Sequence, residues 1–201
     1  MIKTVISDLG RVLIHFDNGI FIRKIAQFCP LTEEEITKMM FKELDLIEAF
    51  DKDELTPKEF YNRVIQRLKA AVDYDHFFSI YNDVFSLNST PVEVLKKLIG
   101  RYTLVLLSNT DLMRFGFIGR KFPEVMFFDE YVLSFEVGSM KPQPKIYRVV
   151  LERSGSRAEE CVFIDDREEN VEAARALGIK GILFSPQTDL ESALKEIGLS
   201  F

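Results

Sequence analysis

The chain has 201 residues, 47% hydrophobic and 29% charged. That balance fits one globular domain, or one domain with a sizeable insertion, and excludes a disordered, collagen-like or coiled-coil chain. Its 26 basic and 32 acidic residues leave a formal charge of −6, without the basic excess that binders of nucleic acid or anionic membrane use against phosphates. No apolar run reaches the ~18 residues of a membrane helix, and the first residues lack the apolar stretch of a signal peptide. Cys29 and Cys161 are far apart, without metal or redox spacing, so a cytoplasmic protein with two reduced thiols is expected.

Taken in chain order, Thr4-Val5-Ile6-Ser7 is a β-branched run ended by Asp8-Leu9-Gly10, a buried strand followed by a turn. The stretch from Asn18 to Leu87 is acidic, rich in Phe and Met, and helical in pattern, with capping boxes at Thr32–Glu35 and Thr56–Glu59 and no strand. It reads as a helical insertion over 18–87, hinged near 17–19 and 86–90. Thr90-Pro91-Val92-Glu93 reads as a third capping box, opening a helix through Leu95, Leu98 and Ile99 that Gly100 stops. Strands are then predicted over 102–107, 131–134, 161–164 and 181–184, alternating with helices over 146–153, 168–177 and 190–197. Several strands are continuously apolar, which suits a sheet covered on both faces. The expectation is an α/β protein: a three-layer, Rossmann-like parallel sheet formed by residues 1–17 and 88–201, with the helical insertion between them.

Four features fall at or just beyond strand C-termini, where open parallel sheets bind ligands. They are Asp8 with Gly10, Ser108 with Asn109, Lys141, and Asp165-Asp166 with Asn170. Three carboxylates close together repel one another, and a divalent cation with oxygen ligands, Mg²⁺ by preference, relieves the repulsion. Lys141 adds a cation and Ser108 a hydroxyl, together suiting a multiply charged oxyanion such as phosphate. Plainer readings stand beside these. Taken alone, Asp8 reads as a turn residue, Asp165-Asp166 and Ser108 as helix caps and Lys141 as a solvated loop lysine; occurring together, the four features outweigh those readings. His76 reads as surface, and Phe41, Phe50, Phe77 and Phe78 as packing of the insertion or as a pocket wall.

The stretches Val5 to Leu13, Leu106 to Thr110, Gly138 to Pro142 with Ile146-Tyr147, and Val162 to Val171 with Leu177-Gly178 resemble, in order, the four motifs of the haloacid dehalogenase-like hydrolase superfamily. The likeness covers residues 1–16 and about 90–185, and the insertion resembles the helical cap of many members. Among subgroups it is similar to that of bacterial α-D-glucose-1-phosphate phosphatase, with the phosphatase domain of soluble epoxide hydrolases more distant. The resemblance implies a Mg²⁺-dependent phosphomonoesterase acting on a small phosphorylated molecule, by expectation a sugar phosphate. It implies Asp8 as nucleophile, with an aspartyl-phosphate intermediate. Asp8, Gly10 through its carbonyl and Asp166 would hold Mg²⁺. Ser108, Asn109 and Lys141 would hold the phosphoryl group, and Asp165 and Asn170 would orient them.

One position departs from the pattern. Most phosphatases of this superfamily carry a second Asp two residues after the nucleophile, which protonates the leaving oxygen; here that residue is Gly10. His15 and Asp17 follow on the expected flap as candidate proton donors, and Arg11 as a substrate contact. Two alternatives remain at this point: a metal-independent dehalogenase using the same Asp, and a phosphate-binding protein that has lost turnover.

Overall fold

The computed structural model describes residues 1–201. Seven strands and eleven α-helices follow in chain order. They are β1 (Thr4–Ser7), β2 (Ile14–Phe16), α1 (Asn18–Ile25), α2 (Glu33–Thr37), α3 (Asp45–Asp51), α4 (Pro57–Leu68), α5 (Tyr74–Asn82), β3 (Phe85–Leu87), α6 (Ser89–Lys96), β4 (Thr103–Ser108), α7 (Leu112–Lys121), β5 (Glu130–Leu133), α8 (Ser134–Val137), α9 (Pro144–Ser154), β6 (Cys161–Asp165), α10 (Glu168–Ala176), β7 (Lys180–Leu183) and α11 (Leu190–Glu196).

Five strands form one sheet in the order β5-β4-β1-β6-β7, and all its pairings are parallel. Side chains alternate across it as strand geometry requires. Val5, Leu104, Leu106, Val162 and Ile164 pack on one face with residues of α6, α7 and α11. Ile6, Val105, Leu107, Cys161 and Phe163 pack on the other with α9 and α10. Both faces are covered, which explains the unbroken apolar runs. The expected three-layer α/β core is therefore present.

Residues 21–84 bury a third, separate cluster that includes Phe21, Phe60, Phe77 and Tyr81. Phe50 stacks on Phe60 at 4.2 Å, and Phe77 and Tyr81 stack at 5.8 Å. Truncating one such buried ring to Ala typically costs about 3–5 kcal/mol. Two helices of this unit start on the predicted capping boxes: Thr32 and Glu35, and Thr56 and Glu59, exchange reciprocal bonds.

Two local expectations are corrected. The 18–87 stretch does hold a strand, because β3 pairs antiparallel with β2, Phe16 opposite Phe85. The two chain crossings between core and cap thus run side by side. Three residues each is too short for a period-two signal. The third capping box does not form either. α6 starts at Ser89, with Asn88 in the cap position making no side-chain cap bond. Instead the Asn88 amide donates to the Val12 carbonyl at 2.8 Å and its backbone N–H to Leu13 O at 2.9 Å. Anchoring to the residues before β2 sets the helix start and leaves Thr90 inside the helix.

Candidate active site at the C-terminal edge of the sheet

The strand order decides which residues meet. β1 lies between β4 and β6, so the residue after β1, the end of β4 and the end of β6 share one edge. Asp8 is pinned there by its backbone N–H, which donates to Ile164 O of β6 at 2.9 Å. Lys141 reaches in from the loop before α9. Its ammonium donates to Asp8 Oδ1 at 2.5 Å, Asp165 Oδ2 at 2.7 Å and Leu107 O at 3.0 Å. A lysine has three N–H donors, and each has an acceptor here, so the side chain, 2% exposed, is fully satisfied. Asp165, wholly buried, also accepts from the Arg167 N–H at 2.8 Å and from the Asn170 amide at 3.0 and 3.1 Å. The Tyr147 hydroxyl donates to Asn170 O at 2.9 Å, tying α9 to α10 beneath the site.

Asn109 and Lys141 clamp their two loops together. The Asn109 amide donates to Lys141 O at 2.9 Å, and the Lys141 N–H donates to Asn109 Oδ1 at 2.8 Å. The Asn109 side chain is thereby committed, while its backbone N–H and the buried Ser108 hydroxyl have no partner in the chain. Ser108 caps no helix, since Asp111 caps α7. These two free donors, with the positive charge of the Lys141 ammonium beside them, form a cradle for an oxyanion.

Carboxylate oxygens of Asp8, Asp165 and Asp166 lie within 4.8 Å of one another. Burial, with the Asp165 and Asp166 charges, pushes the Asp8 carboxyl up to about 7 against the pull of Lys141. Burial and Asp165 likewise raise Asp166, opposed by Arg11 and Lys141. Burial works against the Lys141 ammonium, but Asp8 and Asp165 outweigh it and hold its pKa above the usual range. Asp165 is consumed by its bonds to Lys141, Arg167 and Asn170. Asp8 Oδ2, Asp166 and the Gly10 carbonyl remain, an all-oxygen set with two crowded carboxylates. That donor set fits Mg²⁺, which takes one or two carboxylates and completes its shell with water and substrate oxygens.

A family model for haloacid dehalogenase-like hydrolases matches residues 2–178. The chain belongs to the haloacid dehalogenase-like hydrolase family. It is a hydrolase of that family, and the structure superposes on solved members. The enzyme bt-2542 of Bacteroides thetaiotaomicron aligns at a TM-score of 0.83 and 27% identity, over 96% of this chain and 98% of that one. The same enzyme has been crystallised with magnesium and inorganic phosphate, and that form aligns at a TM-score of 0.78 and 25% identity over 96% and 99%. Among curated relatives, drimenol cyclase drtB of Aspergillus calidoustus is 27% identical over 98% of this chain. The chain spans 37% of that cyclase's length and 12% of rat bifunctional epoxide hydrolase 2, where the match is 40% identical over 35% of this chain. D-ribitol-5-phosphate phosphatase of Bacteroides thetaiotaomicron is 21% identical over 93% of both chains.

Within this family member, the residues singled out from sequence fall into two groups. Asp8, Gly10, Arg11, Asn109, Lys141, Asp166 and Asn170 line one pocket, with Ser108 and Asp165 beside it. Asp17 is not brought there: its side chain, 61% exposed, caps α1 by accepting the Gly19 N–H and pairs with Arg23. His15 is exposed and lines a neighbouring groove with Arg11, Asp166 and Phe184. The Arg11 guanidinium lies 3.6 Å from Asp166 and 5.1 Å from the Phe16 ring centre, and its φ of 57° places it in the left-handed region. Asp51, Tyr147 and Arg114 were not among the candidates. Tyr147 stands in the third motif stretch without an assigned role, and no local motif marks Asp51 or Arg114, which meet at the cavity across more than sixty residues of chain.

Proposed function

We propose that this hydrolase is a Mg²⁺-dependent phosphomonoesterase acting on a small phosphorylated substrate of the sugar or polyol type, by way of a phosphoryl group carried on Asp8. The observation that carries the reading is Lys141, bonded at once to Asp8 and Asp165 beside the free donors of Ser108 and Asn109. A fixed carboxylate beside a fixed cation and an oxyanion cradle suits in-line attack on phosphorus. The magnesium and phosphate bound by bt-2542 and the ribitol phosphate named for a curated relative of this chain support the same class.

In this reading the Asp8 carboxylate attacks phosphorus, an Asp8–phosphate bond forms and the bond to the leaving oxygen breaks. The Ser108 hydroxyl and the Asn109 N–H hold the phosphoryl oxygens, and the positive charge of Lys141 offsets theirs. Water then attacks phosphorus, releasing phosphate and regenerating the Asp8 carboxylate. Asp8, Asp166 and the Gly10 carbonyl would hold Mg²⁺, which when bound would supply charge neutralisation between the anionic substrate and the anionic nucleophile. Asp165 and Asn170 position Lys141. With Gly10 at the acid's place, and Asp17 engaged as a helix cap, the leaving oxygen takes its proton from water in the cavity. Turnover then favours leaving groups of low pKa.

The test is phosphate release from p-nitrophenyl phosphate and a panel of sugar and polyol phosphates. The reading expects activity with Mg²⁺, none with chelator and none in Asp8→Asn; turnover surviving in Asp8→Asn sinks it. The Asp165-Asp166 pair weighs against a dehalogenase, which needs no metal. A phosphate-binding protein without turnover is the second reading. Gly10 and the Arg11–Asp166 pair favour it, and phosphate bound without release by the wild type would establish it.

A further inference from the structure

Beside the phosphoryl cradle, a cavity of about 400 Å³ runs between core and cap, lined by Ser108, Asn109 and Lys141 from the core, by Asp51 and Phe41 from the cap, and by Asn18 and Arg114. Its size falls in the range of about 300–1,000 Å³ usual for small-molecule sites. Two of its lining residues, Asn18 and Arg114, carry polar atoms that the protein leaves unpaired. Asn18 Oδ1 and the Nε and Nη2 atoms of Arg114 are buried and meet no hydrogen-bond partner. Buried polar atoms are nearly always paired, and these three belong to two residues that line the cavity, where Arg114 Nη1 also makes no bond to the chain.

Arg114 is held for this role. Its guanidinium stacks 3.9 Å above the Tyr81 ring, its Nε lies 4.0 Å from Asp111 Oδ2, and its side chain is 14% exposed. Across the seam stands half-buried Asp51 on α3. Burial and the Asp111 charge push its carboxyl well above the usual range, against the pull of Arg114, with Glu48 adding to the rise. Asp51 takes no hydrogen bond from the chain.

We infer that Asn18, Asp51 and Arg114 form the leaving-group site of this enzyme and select substrates whose leaving group carries hydroxyls. The inference rests on the phosphomonoesterase reading and adds the residues that choose the substrate. A hydroxyl accepts from a guanidinium N–H while donating to an amide or carboxyl oxygen, so a polyol matches all three side chains. A hydrocarbon leaves the guanidinium unpaired, which a site built for hydrogen bonds penalises heavily. A second anionic group fits no better, because Arg114 already faces Asp111 and Asp51 and Glu48 also lines the cavity. Phe41, Ile47 and Phe85 supply apolar wall for C–H faces.

The test reads binding apart from turnover. Asp8→Asn protein with Mg²⁺ is titrated calorimetrically with ribitol 5-phosphate, sorbitol 6-phosphate and hexyl phosphate. The polyol phosphates should bind about 10–100-fold more tightly than the alkyl phosphate, and adding Asp51→Leu should erase that margin. Asp51→Asn, which keeps an acceptor, should retain part of it. Arg114→Met should erase it too, with thermal melts confirming that each variant folds. Equal binding of hexyl and polyol phosphates, no binding of either polyol phosphate, or a margin that survives Asp51→Leu overturns the inference. Absence of phosphate release by the wild type, with the polyol margin intact, overturns only the catalytic reading.

Discussion

The ring of Phe16 closes on Gly10: a Cβ at residue 10 would lie 3.4 Å from Phe16 Cε1 and 3.8 Å from Asp8 Oδ2. The backbone there tolerates a side chain, but a carboxyl must displace the ring to reach a leaving oxygen. Gly10→Asp alone should therefore change turnover little. Gly10→Asp with Phe16→Leu should raise kcat for alkyl and polyol phosphates, within the span of about 10²–10⁴-fold that general acid catalysis supplies. The gain should be much smaller for p-nitrophenyl phosphate, whose leaving group needs no proton. A series of leaving groups graded by pKa measures this as a flattening of the rate dependence.

Lys141→Met removes the one cation from a buried pair of carboxylates. Asp8 and Asp165 lose their 2.5 and 2.7 Å partners, and stranding buried charges typically costs about 3–5 kcal/mol. Urea unfolding in the presence of chelator should show a loss of this size, and phosphate release should vanish with Mg²⁺ present.

The stability of the metal-free protein should fall as pH rises. Burial lifts the Asp8 carboxyl from the usual 3.8 to about 7. Between these values the folded chain holds a proton that the unfolded chain has released. Asp166 is displaced in the same direction. The stabilisation is present below about pH 4 and lost progressively as pH rises through 7. Melting temperatures with chelator should decline over that window. Mg²⁺ should reverse the decline, because it binds the ionised form, and Asp8→Asn should flatten the slope.

Tyr81→Phe tests the seam between cap and core. The Tyr81 hydroxyl on α5 donates to Asp111 Oδ2 at 3.0 Å, and both residues are fully buried. Deleting the hydroxyl leaves a buried acceptor short of a donor, at about 1–3 kcal/mol. Thermal or urea unfolding reads the loss. If the unpaired Asp111 draws Arg114 away from the cavity, binding of polyol phosphates should weaken as well.

Much of the architecture is written locally. β1 and β4 are apolar throughout because both faces of the sheet are covered, and the boxes at Thr32 and Thr56 form as their spacing implies. The box at Thr90 fails because Asn88 is tied to Val12 and Leu13, partners more than seventy residues earlier. Asp17 had a local reading available as a cap, being an Asp directly before a helix. Its place on the flap made it a candidate acid, and the turn of α1 directs it to Gly19 instead.

The sequence by itself determined the α/β core and the places of Asp8, Ser108 and Asp165 at strand ends, while Lys141 reaches them from the loop between α8 and α9. Strand periodicity, helix caps and the motifs that follow β-strands are properties of neighbouring residues. Only the tertiary structure decided that Asn109 clamps Lys141 and that Phe16 stands over Gly10. It alone set Asn18, Asp51 and Arg114 around one cavity. Those relationships join elements far apart in the chain, and whether a buried polar atom is paired depends on what packs against it, which no local pattern records.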